Sequence, residues 1–220
     1  MIVAAILVAA GSGDRLGADV PKAFVTVAGR TLLEHAARRF IAHPRVDSVV
    51  IAAPAALTGS AADLAPAATV VPGGHTRQQS VARGLAALAA DVDVVLVHDV
   101  ARAFVPAEVI DRVLDALGAG ADAVVPTMPV TDTVRRVDAD TGAVGATLDR
   151  SGLLAVQTPQ GFRRATLEAA HASADPDATD DASLVEAIGG RVIAVRGAQE
   201  AFKVTVPLDL AMAEAVLARG

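Results

Sequence analysis

The chain contains no cysteine, tryptophan or tyrosine, and aromatic residues make up only 2% of its 220 residues. The lack of cysteine excludes disulfide bonds, zinc–thiolate sites and thiol catalysis. The scarcity of aromatic rings argues against a stacking surface for single-stranded nucleic acid, and the net charge of -6 argues against general nucleic-acid binding. The apolar run at the N-terminus is far shorter than the roughly 20 residues that cross a bilayer, and it lacks the positive flank of a signal peptide. We therefore expect a cytoplasmic protein with no nucleic-acid and no membrane partner.

Hydrophobic residues are abundant, at 53% of the chain, which is enough to build a folded core. Short apolar runs alternate with helical patterns along the sequence. The predicted strands cover residues 2–8, 46–52, 69–71, 94–98, 123–126 and 191–195. Continuously apolar strands that alternate with helices predict an α/β fold with a mostly parallel sheet, covered on both faces, in a single domain of residues 1–220.

Several helices have recognisable starts. Thr31 and Glu34 have the spacing of a capping box, and residues 79–89 place apolar side chains on one helical face. We expect further helix starts at Pro106 in a first turn, at Thr179 as an N-cap, and at Pro207.

Residues 130–154 interrupt the alternation of strands and helices. Apolar residues alternate with polar ones on either side of a DADTG turn, which predicts an extended hairpin. Because an isolated hairpin is marginally stable in water, we expect this β-arm to pack against a second subunit.

The first candidate site is the loop LVAAGSGDRLG, residues 7–17, which follows the first strand. Gly11 and Gly13 permit turns that direct backbone N–H groups at an anion. The glycine spacing matches neither a dinucleotide fingerprint nor a P-loop. Glycines alone fit a simple turn equally well, but Arg15 and Lys22 at the loop mouth favour a polyphosphate.

The second candidate is VPGGHTRQQSV, residues 71–81, where Gly73 and Gly74 turn the chain between a strand and a helix. Arg77 and Ser80 fall in the first turn of that helix, where unpaired N–H groups bind anions and polar ligands. Read alone, the segment fits a capped turn as well as it fits a binding site.

The third candidate is VVLVHDVAR, residues 94–102. Asp99 directly follows a buried strand and is a candidate Mg²⁺ ligand, with a turn or cap carboxylate as the alternative. Arg102 is placed to face the same cleft. His98 points to the other side of the strand, which favours a packed, hydrogen-bonded histidine over a ligand.

Three further segments carry polar residues whose roles the local pattern leaves open. Arg150 lies in the predicted arm, and QTPQ at residues 157–160 is an extended, proline-fixed turn. Lys203 lies beside a short apolar strand, where a solvated lysine is the alternative to a functional one.

Taken together, these segments resemble the 2-C-methyl-D-erythritol 4-phosphate cytidylyltransferase family of the non-mevalonate isoprenoid pathway. The matching motifs run in order from Val8 to Leu210: AAGSGDRLG, PK, GG with R-x-x-S-V, VHD-x-AR, DT, TLDR, QTPQ-x-F, TDDAS and FKVT-x-P-x-D. The first motif marks the wider nucleotidyltransferase fold, whereas TLDR, QTPQ and FKVT are specific to this family. The resemblance implies a Rossmann-like nucleotidyltransferase with a three-layer sandwich, acting as a homodimer through the protruding β-arm.

The resemblance also implies roles for individual residues. Arg15, Lys22 and Lys203 would surround the triphosphate of CTP as catalytic residues, and Asp99 would hold Mg²⁺. The nucleotide contacts implied are Ala9, Ala10, Gly11, Gly13, Gly74, His75, Ser80 and Asp99, and the contacts implied to the methylerythritol phosphate are Arg102, Thr133, Arg150 and Thr158. Thr133 and Arg150 would reach across from the partner subunit. His75, Val100 and Ala103 depart from the family pattern and are expected to alter nucleotide affinity at most.

The implied reaction transfers CMP from CTP to the small polyol phosphate and releases pyrophosphate. A related enzyme that makes CDP-ribitol and a nucleotide-binding protein without catalysis are the rival hypotheses. The glycine spacing disfavours a nicotinamide dehydrogenase, and the chain has no G-x-S-x-G motif of a serine hydrolase.

Overall fold

A computed structural model describes residues 1–11, 13, 16–173 and 178–218. The strands are β1 Val3–Val8, β2 Thr26–Val27, β3 Arg30–Thr31, β4 Ser48–Ala53, β5 Thr69–Pro72, β6 Val94–Asp99, β7 Ala123–Pro129, β8 Arg135–Val137, β9 Val144–Thr147, β10 Leu154–Val156, β11 Gln160–Arg163 and β12 Val192–Arg196. The helices are α1 Leu32–Ile41, α2 Thr58–Leu64, α3 Arg77–Ala86, α4 Ala107–Gly118, α5 Arg164–Ala172, α6 Asp181–Ala187 and α7 Pro207–Leu217. All six predicted strands are confirmed to within two residues at either end, apart from β7, which continues three residues further.

The main sheet has the order β10-β7-β11-β6-β1-β4-β5, and β12 also pairs with β7. Strands β6, β1, β4 and β5 are parallel to one another, and β7 is parallel to β12. Only β10 and β11 run antiparallel to the strands beside them. The mostly parallel sheet predicted from the sequence is therefore confirmed, and the carboxyl ends of β1, β4, β5 and β6 share one edge.

The two faces of the sheet are covered by separate apolar clusters. Along β1, Ala5 and Leu7 belong to the cluster that contains α1 and α4, whereas Ala4 and Ile6 belong to the cluster that contains α3 and α5. This alternation follows from the two-residue period of a strand. The result is the three-layer arrangement expected from the sequence.

The capping box at α1 is confirmed. The Glu34 N–H donates to Thr31 Oγ1 over 3.2 Å, and the Thr31 N–H donates to Glu34 Oε2 over 2.7 Å. Helix α7 begins at Pro207, as predicted. Helix α3 begins two residues before the predicted segment, because Thr76 caps it by accepting from the N–H of Gln79.

Two predicted helix starts are wrong by one residue. Pro106 precedes α4 in an extended conformation instead of lying in its first turn. Thr179 does not cap α6, because Asp180 takes that position and its Oδ1 accepts from the N–H of Ser183 over 2.9 Å. A carboxylate at this position also stabilises the positive end of the helix dipole, which a hydroxyl does not.

The predicted β-arm is an exposed hairpin. Strands β8 and β9 pair only with each other in the described part of the chain, and every residue in both strands is exposed. The chain then returns to the main sheet through β10, whose Leu154 and Val156 are also exposed. Within the described ranges, no helix has the length and apolar character needed to cross a membrane.

Candidate functional site

Two cavities adjoin at the carboxyl edge of the sheet. The first cavity, of about 370 Å³, is lined by Val8, Ala9, Ala10, Gly11, Gly13, Lys22, Ala23, Gly74, His75, Thr76, Arg77, Ser80, Asp99, Val100, Ala101 and Lys203. The second cavity, of about 250 Å³, is lined by Arg77, Asp99, Arg102, Val156, Gln157, Thr158, Gln160, Thr179, Asp180 and Lys203. Arg77, Asp99 and Lys203 line both cavities, so these three side chains form the boundary between them.

The glycine loop after β1 requires glycine at a specific position. Gly13 has a φ of 77° and lies against Lys22, where an added Cβ would come within 2.5 Å of the Lys22 Cβ atom. Pro21 precedes the short 3-10 helix that begins at Lys22. The loop and Lys22 are therefore packed together at the wall of the first cavity, which fits the predicted role of Lys22 beside a phosphate chain.

The loop between β5 and α3 forms the opposite wall. A Cβ on Gly73 would come within 2.5 Å of the Ala10 side chain, so the two loops approach as closely as small residues allow. Ser80 Oγ accepts from the Gly74 N–H and donates to the Thr76 carbonyl, each over 3.0 Å. Ser80 is therefore an organiser of the loop, and its single hydroxyl hydrogen is already donated to the protein.

Asp99, the last residue of β6, is bound by two cations. Arg77 Nε donates to its Oδ1 over 3.1 Å, and Lys203 Nζ donates to its Oδ2 over 2.8 Å. Burial alone would raise the pKa of Asp99, but the charges and hydrogen bonds of Arg77 and Lys203 outweigh burial and hold the pKa well below its usual range. The carboxylate is thus ionised, as a metal ligand requires. Lys203 is not the merely solvated lysine that the sequence left open.

Arg77 is held from its other side by a buried carboxylate. Its Nη1 donates to Oδ2 of Asp181, whose side chain is 0% exposed, and His171 Nε2 donates to the other oxygen of Asp181 over 2.8 Å. Burial would raise the pKa of Asp181, but the hydrogen bond from His171 and the charge of Arg77 lower it. The result is a chain of alternating charges that runs from Lys203 through Asp99 and Arg77 to Asp181, with His171 hydrogen-bonded to Asp181 at its end.

The second cavity is lined by side chains that also hold the surrounding backbone. Arg102 donates from Nη1 to the Ala201 carbonyl over 2.9 Å and from Nη2 to the Val156 carbonyl over 3.1 Å. Its Nε is buried and has no hydrogen-bond partner among the described residues. Such a buried donor is costly to leave unpaired, which is consistent with a ligand acceptor at this position.

Thr158 and His98 form a second hydrogen-bonded group beside this cavity. Thr158 Oγ1 lies 3.1 Å from the Asp99 backbone nitrogen and 3.0 Å from His98 Nδ1. Burial lowers the pKa of His98 to about 3, although the negative charge of Asp99 opposes that shift. The prediction that His98 is a packed, hydrogen-bonded residue is confirmed.

Most of the residues implied by the resemblance lie at the two cavities. The first cavity contains the implied nucleotide residues Ala9, Ala10, Gly11, Gly13, Gly74, His75, Ser80 and Asp99 together with Lys22 and Lys203. The second contains Arg102 and Thr158. Thr133 and Arg150 line neither cavity: both are exposed on the arm, where the Arg150 guanidinium donates to the Thr131 carbonyl. Arg15 lies outside the described residues.

Local sequence patterns do not identify Asp181 or His171 as functional, and they give Arg77 no role beyond the first turn of a helix. Arg77 and Asp181 are 104 residues apart in the chain. Asp181 has the local pattern of an acid in the first turn of a helix, and His171 has no motif around it. No local signal in one sequence identifies a pair joined over that distance.

A magnesium ion fits the donor chemistry at Asp99. The described residues contain no group of three or more acidic or histidine side chains that would hold a metal ion by themselves. Mg²⁺ typically takes one or two carboxylates and completes its shell with substrate phosphates and water. One ionised carboxylate at the boundary of the two cavities matches that requirement.

Known proteins resemble this chain over nearly its full length. The family model "IspD: 2-C-methyl-D-erythritol 4-phosphate cytidylyltransferase" matches residues 3–219. A relative of that name from Streptomyces coelicolor is 49% identical over 229 residues, covering 98% of this chain and 85% of the relative. The crystal structure of 2-C-methyl-D-erythritol 4-phosphate cytidylyltransferase from Thermus thermophilus is 41% identical, covers 100% of both chains and has a TM-score of 0.82. A 4-diphosphocytidyl-2C-methyl-D-erythritol synthase from Anaerococcus prevotii, 28% identical, covers 99% of this chain and 96% of its own with a TM-score of 0.87. The chain therefore belongs to the 2-C-methyl-D-erythritol 4-phosphate cytidylyltransferase family.

Proposed function

We propose that the first cavity binds CTP, that the second binds 2-C-methyl-D-erythritol 4-phosphate, and that CMP passes from one to the other with release of pyrophosphate. As a member of this family, the chain is a CTP-dependent cytidylyltransferase of isoprenoid precursor biosynthesis. The observation that carries the assignment of the cavities is their junction at Arg77, Asp99 and Lys203. Two anionic substrates have to meet at one phosphorus atom, and adjoining cavities with shared cations supply that meeting point.

Cytidine is expected to lie between the two glycine loops. Ala9, Ala10 and Gly74 line this part of the first cavity, and the Ser80 hydroxyl fixes the loop that carries Gly74. The triphosphate would then extend toward Lys22 and Lys203, with Arg15 as a third cation.

The reaction itself needs little covalent chemistry from the protein. A phosphate oxygen of the acceptor attacks the α-phosphorus of CTP in line, the new P–O bond forms, and the bond to pyrophosphate breaks. A phosphate monoester has a second pKa of about 6, so it is largely ionised near pH 7 and needs no strong general base. Catalysis therefore rests on positioning the two anions and neutralising their charge.

Asp99 would hold the Mg²⁺ ion that the resemblance implies. When bound, the ion offsets negative charge on the phosphate oxygens. Lys203 is 42% exposed, whereas Arg77 is 24% exposed and also pairs with the buried Asp181, so Lys203 is the less restrained of the two cations that neutralise Asp99. Lys203 is accordingly the cation that can exchange its ion pair with Asp99 for one with a phosphate.

A homodimer with shared active sites would explain the exposed arm. Arg150 and Thr133 lie on an arm that leaves the main body, and a two-fold pair could exchange arms so that each closes the second cavity of its partner. The planar guanidinium of Arg150 suits a phosphate group better than a lysine would. The chain has no cysteine that needs an oxidising compartment, which fits a cytoplasmic location for this dimer.

Mixed dimers test the shared site. Arg150→Ala and Lys22→Ala subunits, each nearly inactive alone, would combine into dimers that pair one doubly damaged site with one intact site. Activity should then return to about half of wild type per mixed dimer, since one of two sites is restored. If activity stays absent although subunit exchange is verified by mass-tagged subunits, each chain builds its own site and the shared arrangement is wrong.

A substrate panel tests the reaction. The purified protein is incubated with CTP, Mg²⁺ and a set of polyol phosphates that includes 2-C-methyl-D-erythritol 4-phosphate and ribitol 5-phosphate, and pyrophosphate is assayed. We expect release only with the methylerythritol phosphate and only with a divalent cation. Preference for ribitol 5-phosphate would contradict the acceptor, and undiminished release in EDTA would contradict the metal.

A further inference from the structure

His98 is a buried histidine that the proposed reaction does not use. Its side chain lies at the end of β6 and is 0% exposed. The ring packs against Phe40, with ring centroids 4.7 Å apart. Its two nitrogens have polar partners: Nδ1 lies 3.0 Å from Thr158 Oγ1, and Nε2 lies 3.2 Å from the Arg102 carbonyl oxygen.

The partners of this ring determine which atom carries each hydrogen. The Arg102 carbonyl can only accept, so Nε2 of His98 must carry a hydrogen and donate it. The ring has no carboxylate as a hydrogen-bond partner and is fully buried, so it is neutral and its Nδ1 is bare. A bare Nδ1 can only accept, and therefore the Thr158 hydroxyl donates its hydrogen to His98.

The other contact of Thr158 occupies one of the two lone pairs on its Oγ1 atom. The Asp99 backbone N–H donates to Thr158 Oγ1 over 3.1 Å. A hydroxyl has one hydrogen and two lone pairs, so after these contacts Thr158 retains a single lone pair and no hydrogen to donate. Thr158 lines the second cavity, and toward a ligand there its hydroxyl can act only as a hydrogen-bond acceptor.

We propose that His98 is a positioning residue which fixes Thr158 as an acceptor, so that Thr158 selects a hydroxyl group of the acceptor substrate instead of its phosphate. This inference rests on the proposed function, since it assigns part of the polyol phosphate to a wall of the second cavity. Phosphate oxygens are themselves acceptors and give this Thr158 nothing to accept, whereas each hydroxyl of a polyol can donate. The phosphate is then left to the cations around the cavity.

Deoxy analogues of the acceptor test the selection. With wild type, the analogue that lacks the hydroxyl bound by Thr158 should lose roughly ten- to a hundredfold in kcat/KM, because a buried acceptor is left unpaired. The kcat/KM of Thr158→Val should fall by a similar factor with the full acceptor, and it should fall no further when that analogue replaces the full acceptor. Thr158→Ser, which keeps the hydroxyl, is the matched control and should retain the selection.

His98→Leu tests the positioning role. Removal of Nδ1 frees the Thr158 hydroxyl to rotate and donate, so selection between the full and the deoxy acceptor should shrink. The KM for the acceptor should rise while the KM for CTP stays unchanged. His98→Asn, which places an amide oxygen near the Nδ1 position, should restore part of the selection; a purely packing role for His98 predicts no such rescue.

Nitrogen-15 spectra of histidine-labelled protein provide a readout that needs neither turnover nor a stable His98 variant. His98 should show a protonated Nε2 and a bare Nδ1, and Thr158→Val should shift the Nδ1 signal. A hydrogen on Nδ1 would overturn the inference. A loss of kcat/KM that is equal for every deoxy analogue, in wild type and in Thr158→Val, would overturn it as well. Absence of pyrophosphate release by wild type with the full acceptor would instead contradict the proposed function, and the spectra would still decide the hydrogen-bond assignment.

Discussion

The two cavities on either side of Asp99 are lined by different kinds of group. The first is lined largely by small residues of two glycine loops, in which Gly13, Gly73 and Gly74 leave no room for a Cβ atom. The second is lined by long polar side chains, and Arg102 and Gln157 each hold backbone groups from distant segments. A backbone-lined cavity tolerates change in the side chains that project from it, whereas a cavity built from side chains does not.

At the boundary the contrast is between two cations. Arg77 is held by two carboxylates, one of which is buried, whereas the ion pair of Lys203 is with Asp99 and its side chain is partly exposed. We interpret Arg77 as a fixed part of the wall and Lys203 as the cation that can move between a carboxylate and a phosphate. Substitutions at the boundary should therefore have the largest effects, and substitutions at exposed positions of the first cavity the smallest.

Asp99→Asn removes the carboxylate among the three side chains that line both cavities and should cause the largest loss. The variant loses the charge that holds Lys203 and the proposed metal ligand, so we expect kcat/KM to fall by at least about 10³ and the response to added Mg²⁺ to flatten. The measurement is pyrophosphate release over a magnesium titration, with Asp91→Asn at an exposed position as the matched control. A variant that keeps the magnesium response of wild type would remove Asp99 from the metal site.

Lys22→Ala tests whether Lys22, in the wall of the first cavity, acts in catalysis or only in CTP binding. If Lys22 stabilises charge that grows as the α-phosphorus is attacked, kcat should fall by about 10²–10³ with a smaller change in the KM for CTP. Steady-state kinetics with CTP as the varied substrate measures both constants, and Arg39→Ala is an exposed control. Normal kcat with weakened CTP binding would make Lys22 a binding residue only.

Asp181→Asn tests whether the ion pair with the buried Asp181 holds Arg77 in place. Removal of a buried charge partner typically costs about 3 kcal/mol, so the free energy of unfolding and Tm should fall clearly, whereas Asp63→Asn at an exposed position should leave both unchanged. We also expect activity to fall about tenfold, since Arg77 would keep only Asp99 as a partner. An unchanged free energy of unfolding in this variant would mean that the Arg77–Asp181 pair makes no net contribution to stability.

The pH dependence of unfolding provides a second readout for Asp181. Its pKa is lowered in the folded state, so its contribution to stability is present above the ordinary aspartate range and is lost as pH falls below about 4. In that range, the free energy of unfolding of wild type should decline with acid more steeply than that of Asp181→Asn. Parallel curves would show that Asp181 does not carry this dependence.

His75→Ala should have the smallest effect. His75 departs from the family pattern, its side chain is exposed, and its backbone N–H already donates to Gln79 Oε1 over 2.9 Å. We expect kcat/KM for CTP to change less than about twofold, because surface substitutions away from paired groups usually cost little. A larger change would mean that side chains of the first cavity, as well as its backbone, contact the nucleotide.

The sequence predicted the parts of this structure that depend on local patterns. Apolar runs located the strands, the spacing of Thr31 and Glu34 located α1, and the residues after β1 and β6 located the edge where the cavities form. It did not predict that Asp99 binds Lys203 or that Asp181 binds Arg77, since each pair is separated by 104 residues. The N-cap of α6 was misplaced by one residue because Thr179 and Asp180 are both good caps, and the choice depends on geometry that a single sequence does not contain.

In the proposed reaction the two substrates meet at the boundary beside Asp99, where the α-phosphorus of CTP would lie. CTP labelled with phosphorus-32 at the α or the γ position tests this directly, with 2-C-methyl-D-erythritol 4-phosphate as acceptor. We expect the α label to appear wholly in the cytidylated product and the γ label wholly in pyrophosphate. Transfer of the γ label to the acceptor, with CDP as the second product, would mean that the acceptor meets the far end of the triphosphate and would contradict the arrangement of the two cavities proposed here.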